Sequence, residues 1–529
     1  MAEMGNLFGR WFNNPKFLLA LIAGLLAFVV QSGELGSADT MHRLQTAHSF
    51  WTSEPAVFPN EYPEFGVHGR GGRLYDWYGI GQPLLLLPSD IIGTYLEKLP
   101  IFRDYNGSDP TVRNIFVTYA TNTLLSVLTA MVCFRFLLSL GFNVQQAIAG
   151  VLALLFCTTH LHYTQNMMEN NYILLLTLTG FTFHYEWLRS GSRRALLIGS
   201  VAFGLNLLTR LTTALDIVAG AVFLLLVLYS EKSRRREFWN RSRSYAATAF
   251  PVYAFFLMID RVYQFYRFGS WTDTYVHYFS VEHRLQDPTL SAKYPWETPF
   301  HIGFLGPLIS PEKSIFLFDP LIVLSIVLTI VLWKRIAVEV KAYILATFLL
   351  VFAYICFYAR YTVWSGNFAW GDRYVSTAVQ LAAFTSVPIL LKYRAQIGGV
   401  ISLLGAALVV VSFVIQFASL AFWMPLEIYQ ADDFGHPQFV IWLRSKNIIA
   451  FALGKMDVWG LNTDSIGYDR WDYQHITTWN FLPFVLKRIG EASWWVVNLV
   501  LAIWCVANAA LFGTLLKLRT VVELRASRP

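Results

Sequence analysis

Charge is what this sequence has least of. Only 14% of its 529 residues are Asp, Glu, Lys or Arg, against about 25% in a soluble domain. With 55% hydrophobic residues, the deficit excludes an ordinary water-soluble globule and places the chain in a lipid bilayer. Cysteine is nearly as scarce. Cys133, Cys157, Cys356 and Cys505 all fall inside apolar runs, so neither a disulfide framework nor a zinc cluster is expected, and we read them as small packing residues. A Walker loop, a GxSxG elbow, an HExxH helix and a CxxC pair are missing too, which leaves ATP-driven chemistry and serine hydrolysis unsupported. No internal repeat is visible, which disfavours a transporter built from duplicated halves. The net charge of +7 does not imply nucleic acid, because the basic residues collect in short loops between apolar runs.

What is present is a series of apolar runs. They lie near 17–33, 113–138, 145–161, 171–188, 195–209, 213–230, 245–263, 314–333, 342–359, 375–391, 398–424 and 493–515. A helix crosses the hydrocarbon core with about 20 residues, so we expect an all-α polytopic membrane protein with about 12 transmembrane helices. The N-terminus resembles a signal peptide, with Arg10 and Lys16 before the run Phe17 to Val30, and is read as an uncleaved first helix. Orientation follows from Lys and Arg. The basic loop 231–244, with Lys232 and Arg234–Arg236, joins Arg189–Arg194, Lys334–Lys341, Lys392–Arg394 and the tail on one side, the cytoplasm, with both termini. The segment Gly79 to Pro100, interrupted by Pro83, Pro88, Asp90, Glu97 and Lys98, is expected to lie on the outer surface as an interfacial helix, because a crossing there would send the Arg234–Arg236 cluster outside. Long outer loops then span 34–112 and 264–313 within a catalytic core of residues 1–424. An extracytoplasmic segment follows at 425–492, and a last helix with a basic tail at 493–529.

Candidate chemistry gathers at the outer helix ends. Asp39 follows the first apolar run, where a carboxylate can take a proton from an acceptor hydroxyl; the plain alternative is a helix cap. Glu169 closes the polar stretch His160 to Asn171, as a second acid that orients the acceptor, supports Asp39 or binds a metal. His162, with His160, is an HxH pair that more often simply hydrogen-bonds than ligates. Arg210 interrupts the apolar stretch Ala195 to Tyr229, which suits two spans with a tight turn. Its planar fork fits a phosphate, or a structural ion pair. Arg360, Trp364 and Arg373 sit in the turn Tyr358 to Tyr374, where aromatic faces can pack on sugar and arginines can bind phosphate, or where an aromatic belt simply turns. Lys313 can meet a phosphate or snorkel. The acids and Trp of 425–492, among them Asp432, Asp433, Asp457, Asp464, Asp469, Asp472, Trp471 and Trp479, are candidates for choosing the acceptor.

Together these pieces resemble the GT-C superfamily of membrane glycosyltransferases, in the branch with bacterial protein O-mannosyltransferase-like and aminoarabinose-transferase-like enzymes. The likeness rests on Asp39 after the first helix, and on the stretch Gly72-Arg73-Leu74-Tyr75-Asp76-Trp77-Tyr78-Gly79-Ile80-Gly81-Gln82-Pro83. Glu169, Leu208-Thr209-Arg210, Ile309-Ser310-Pro311, Phe318-Asp319-Pro320, Trp364-Ser365-Gly366 and Gly371-Asp372-Arg373-Tyr374 complete it. It covers nearly the whole chain in layout through short motifs. Many relatives carry an Asp-Glu pair after helix one, whereas Asp39 is followed by Thr40, which leaves open how many acids stand near the base. The resemblance implies inverting transfer of a sugar from a polyprenyl-phosphate donor to a glycan, lipid or protein acceptor at the extracytoplasmic face of a bacterial inner membrane. Asp39 would be the base, and Arg210 and Arg373 would steady the leaving phosphate. The resemblance implies no nucleotide sugar, and among cofactors a divalent ion stays open. The alternatives are a transporter or flippase for a lipid-linked sugar and a non-catalytic scaffold.

Overall fold

A computed structural model of the protein describes residues 13–59, 65–102, 105, 110–230, 238–367, 369–423, 426–427, 439–455, 478–490 and 492–526. Among them helix predominates and strand is nearly absent. The β-structure is a two-stranded hairpin pairing Val67–His68 with Leu74–Tyr75. Five helices are long and apolar enough to cross a membrane: Val112–Ser139, Leu211–Ser230, Val338–Tyr358, Gly399–Ser419 and Trp494–Leu524. This is an all-α membrane protein. Its helices have apolar flanks open to the surroundings, as Leu403, Leu404, Val410 and Val506 show. In water such faces would be a liability.

Every expected apolar run is largely helical, but three are interrupted. The run 145–161 breaks at Thr158 and Thr159, between Val144–Cys157 and His160–Gln165. The run 314–333 breaks into Ile315–Phe318 and Leu321–Leu332, because Pro320 has no N–H to continue the first piece. The run 375–391 breaks into Ser376–Ala383 and Ser386–Lys392. There the Ala382 carbonyl takes a hydrogen bond from Ser325 Oγ at 2.8 Å, and the Leu381 carbonyl one from Tyr343 Oη at 2.9 Å, so neighbouring helices satisfy the backbone. The last helix runs on to Ala526, past the expected end. The polar stretch 160–171 contains a short helix, His160–Gln165.

The basic loops meet at one end of the bundle. Arg189 Nη1 donates to the Ser139 carbonyl at 2.8 Å, Lys392 Nζ to the Gly141 carbonyl at 3.1 Å, and Arg335 Nη1 to the Gln396 carbonyl at 3.1 Å. The loop 231–237, with Lys232 and Arg234–Arg236, lies outside the described residues. At the other end, amides tie the chain together. Gln31 Nε2 donates to the Thr164 carbonyl at 2.6 Å, and Gln165 Nε2 to the carbonyls of Val30 at 2.8 Å and Asn480 at 2.6 Å. These bonds fix the exit of the first helix, Pro15–Val29, against the stretch before Glu169.

The segment Gly79 to Pro100 forms the helix Gly81–Glu97, packed on the helices Ala38–Ser49 and Val112–Ser139. Its buried Asp90 accepts from Trp51 Nε1 at 2.7 Å and from Arg113 Nε at 2.5 Å, with His48 Nδ1 at 3.0 Å. One carboxylate therefore locks three helices in place. Ile92, Tyr95, Leu99 and Ile101 leave an apolar flank exposed, the pattern of a helix lying along an interface.

Candidate functional site

Four of the residues singled out from the sequence converge, although they are 334 positions apart at the extremes. Each sits at a helix end. Asp39 opens the helix Ala38–Ser49, and Glu169 immediately precedes Asn170–Ser190. Arg210 ends Arg193–Thr209, and Arg373 lies just before Ser376–Ala383.

The cap reading of Asp39 is answered by its neighbour. Ser37 is the N-cap, its Oγ accepting from the Thr40 amide at 3.2 Å. The Asp39 carboxylate instead takes Arg373 Nη1 at 2.5 Å and a hydrogen bond from the Tyr78 hydroxyl. Glu169 likewise does not cap its helix. It is 3% exposed and forms ion pairs with Arg210 and, at 2.6 Å, with Arg43. Burial works against both carboxylate charges, yet the facing arginines outweigh it. Arg373 and Arg43 hold Asp39 below its ordinary pKa, and Arg43, Arg210 and Arg373 hold Glu169 well below its own.

Close backbone approach makes this convergence possible. Gly36 has φ +77°, and a Cβ there would lie 2.6 Å from Asn166 Cα. Only glycine fits that turn and that contact. Thr40 Oγ1 donates to the Met167 carbonyl beside it, so the stretches before the two acids run side by side. Gly79 touches the Leu208 carbonyl, which a Cβ would approach to 2.3 Å, and this seats the segment carrying Tyr78 against the turn of Arg210. Asn170 Nδ2 donates to the Arg373 carbonyl at 2.7 Å, which anchors the backbone of Arg373 to the helix that starts at Glu169.

Tyr374 closes the cluster. The guanidinium carbons of Arg210 and Arg373 stand 5.1 and 5.2 Å from its ring centroid, and its ring stacks on Tyr358 at 4.3 Å. Arg43 lies over the Tyr78 ring at 3.9 Å. Three guanidinium groups thus face two carboxylates in a half-enclosed, aromatic-walled recess. Asp39, Arg210 and Arg373 keep 22%, 16% and 15% of their side chains exposed, enough for a ligand to reach them.

Arg43, Tyr78 and Tyr374 are the members not singled out from the sequence. Arg43 was readable as the residue one turn beyond Asp39 on the same helical face. Tyr78 is placed by Asp76, whose buried carboxylate pairs with the buried Arg267 at 3.0 Å and accepts from Thr46 Oγ1 at 2.7 Å; Arg267 also donates to the Tyr78 carbonyl at 3.0 Å. Beyond that wall lies a cavity of about 570 Å³ lined by Thr46, Arg73, Tyr75, Tyr263 and Tyr266 among others.

The other candidates lie apart from the arginine recess. Lys313 neither snorkels nor faces open space: it is buried, and its Nζ donates to the carbonyls of Asn367 at 2.6 Å and Ala369 at 2.9 Å. Burial pushes it down to about 8 and the nearby Asp372 up to about 7. It braces the loop that carries Arg373. Arg360 is exposed. Trp364 fills the space beside Gly306, where a Cβ would meet its ring at 2.0 Å. His162 is fully buried beside Trp370, with ring centroids 5.8 Å apart, and burial with Arg444 nearby pushes it down to about 3. Among the described residues no three His, Cys, Asp or Glu side chains are placed to hold a metal ion. Asp432, Asp433, Asp457, Asp464, Asp469, Trp471 and Asp472 lie outside the described residues. No protein-family model matches the chain, and a comparison with curated proteins found no match.

Proposed function

We propose that the protein is an inverting glycosyltransferase of the GT-C kind, moving a sugar from a polyprenyl-phosphate donor to a hydroxyl acceptor. In this reading about twelve helices cross the membrane, the basic loops face the cytoplasm, and the arginine recess opens to the extracytoplasmic side. The observation that carries it is the convergence of Asp39, Glu169, Arg210 and Arg373 at helix ends, with Arg43 one turn beyond Asp39, beside apolar helices. A phosphate carried on a lipid and a water-borne acceptor can meet there.

The chemistry follows from the charges. The acceptor oxygen attacks the anomeric carbon, and its proton passes to Asp39. The bond from that carbon to the phosphate oxygen breaks, and its electron pair leaves with polyprenyl phosphate. The donor diester carries one negative charge and the product monoester, once fully ionised, two. Three arginines, two carboxylates and the diester sum to zero. After transfer, three arginines, one carboxylate, a neutral Asp39 and the dianion also sum to zero. A preorganised site that stays neutral along the reaction stabilises charge building on the leaving group without rearranging. Glu169 serves as counter-ion, holding Arg43 and Arg210 in place, and the tyrosine-lined cavity offers the acceptor room.

Asp39→Asn should preserve expression and thermal stability while reducing transfer by about a hundred- to ten-thousandfold, since it removes the base. The check is an assay in reconstituted vesicles with radiolabelled polyprenyl-phosphate sugars. Unchanged turnover in a series that supports the wild type would remove Asp39 as base. One feature favours a flippase for a lipid-linked sugar instead: Asp216, buried among helices and held by Thr177 Oγ1 at 3.1 Å and Tyr354 Oη at 3.3 Å. Lipid movement without sugar transfer would decide for that reading.

A further inference from the structure

The base is engaged. Its Oδ2 accepts from Arg373 and its carboxylate also accepts from Tyr78, so the cation beside it and these donors favour the ionised form and oppose uptake of a proton. Glu169 already serves two arginines and cannot relieve Asp39 of the third. Arg373 itself is incompletely satisfied: its buried Nε has no hydrogen-bond partner among the described residues. Its Nη1 is on the carboxylate and its Nη2 on Tyr374 Oη at 3.3 Å, and a guanidinium fork binds a phosphate as readily as a carboxylate.

We propose that Arg373 is an exchangeable partner, held by Asp39 in the free protein and passed to the donor's phosphate on binding, so that the donor must bind before the base is released. This rests on the glycosyl-transfer reading for the identity of the anion. The exchange is a side-chain movement, because the backbone of Arg373 is fixed by Asn170. Arg210 and Arg373 already share the Tyr374 ring. Bringing the two guanidinium groups onto one site is repulsive when it is empty and favourable when an anion lies between them. The arrangement protects the donor as well. Without a phosphate in place Asp39 is a poor base, and with donor bound only a correctly seated hydroxyl finds it.

Competition of Asp39 and phosphate for one arginine has a thermodynamic signature. Farnesyl phosphate in detergent, titrated by calorimetry, should bind Asp39→Asn roughly tenfold more tightly than the wild type. In an Arg373→Gln background the same Asp39→Asn change should alter binding less than about twofold. A tightening that persists undiminished without Arg373 would reduce the effect to charge repulsion and overturn the exchange, as would unchanged or weaker binding in Asp39→Asn. Absence of binding to the wild type and every variant would sink the phosphate site, and the glycosyl-transfer reading with it. If Arg373→Gln does not fold, Arg373→Lys, which keeps the charge and loses the fork, takes its place in the cycle. A second readout is the carboxyl infrared band that disappears in Asp39→Asn. Asp39 is faced by Arg43 and His42 from its own helix, by Tyr78, by Glu169 and by Arg373. Farnesyl phosphate should make this band protonate at higher pH in the wild type, and an unmoved band contradicts release of the base.

Discussion

Glu169 carries more of the site's stability than its place in a polar loop suggests. It is buried and pairs with two arginines at once. Removing one member of such a group leaves a charge uncompensated, at about 3–5 kcal/mol. Glu169→Gln should therefore lower the unfolding midpoint clearly, measured by thermal unfolding in detergent, whereas Asp39→Asn, at a more open position, should not. The pH dependence separates two further groups. Glu169 is held well below its ordinary 4.5, so its contribution is complete above about 4.5 and is lost as pH falls through its lower folded value. His42 is stacked on Phe65 with ring centroids 3.4 Å apart, and burial pushes it from 6.5 down to about 4. Between those values the unfolded chain binds the extra proton, so stability falls as pH drops from 6.5 to about 4. His42→Phe keeps the stack and should flatten that limb while leaving the Glu169 limb below it. A midpoint curve with the same slope in the variant would assign the titration elsewhere.

Elements, rather than single contacts, aim the base. The helix Ala38–Ser49 is held at its far end by Asp90, through Trp51 and His48, and in its middle by Thr46 on Asp76. Asp90→Asn weakens the ion pair with Arg113 and should cost about 3 kcal/mol. Because the helix then pivots at its far end, transfer should fall although every member of the arginine recess is intact. Turnover measured below the variant's unfolding temperature checks this, and full activity there would show that Asp90 serves stability alone. The helices were readable because apolar length is a local property. The break before Leu321 was legible in Pro320, but the one before Ser386 was not, since it is tolerated only where neighbouring helices satisfy the backbone. The short helix His160–Gln165 was hidden by its polar composition, which its burial against other segments compensates.

At the scale of the molecule, the basic loops gather at one end and the acid–arginine recess forms among helix ends elsewhere. The proposed orientation predicts that, in a cysteine-free background, Ser233→Cys is labelled by an impermeant thiol reagent only from the cytoplasmic side and Ser291→Cys only from the opposite side. Both labelling from one side would dismantle the assignment. The sequence by itself determined the membrane habit, the helical class and the clustering of Lys and Arg in short loops, and it singled out Asp39 and Arg373 by their chemistry at outer helix ends and Glu169 and Arg210 as polar groups too costly to leave unpaired near lipid. Only the tertiary structure decided who pairs with whom. Arg373 meets Asp39, Arg43 joins Glu169, Tyr78 and Tyr374 complete the recess, and Lys313 turns inward to brace a loop. Hydropathy and charge act along the chain, so they can be read from it. Partner choice between residues hundreds of positions apart depends on which helix ends pack together, and on backbone approaches such as Gly36 on Asn166, which no local pattern encodes.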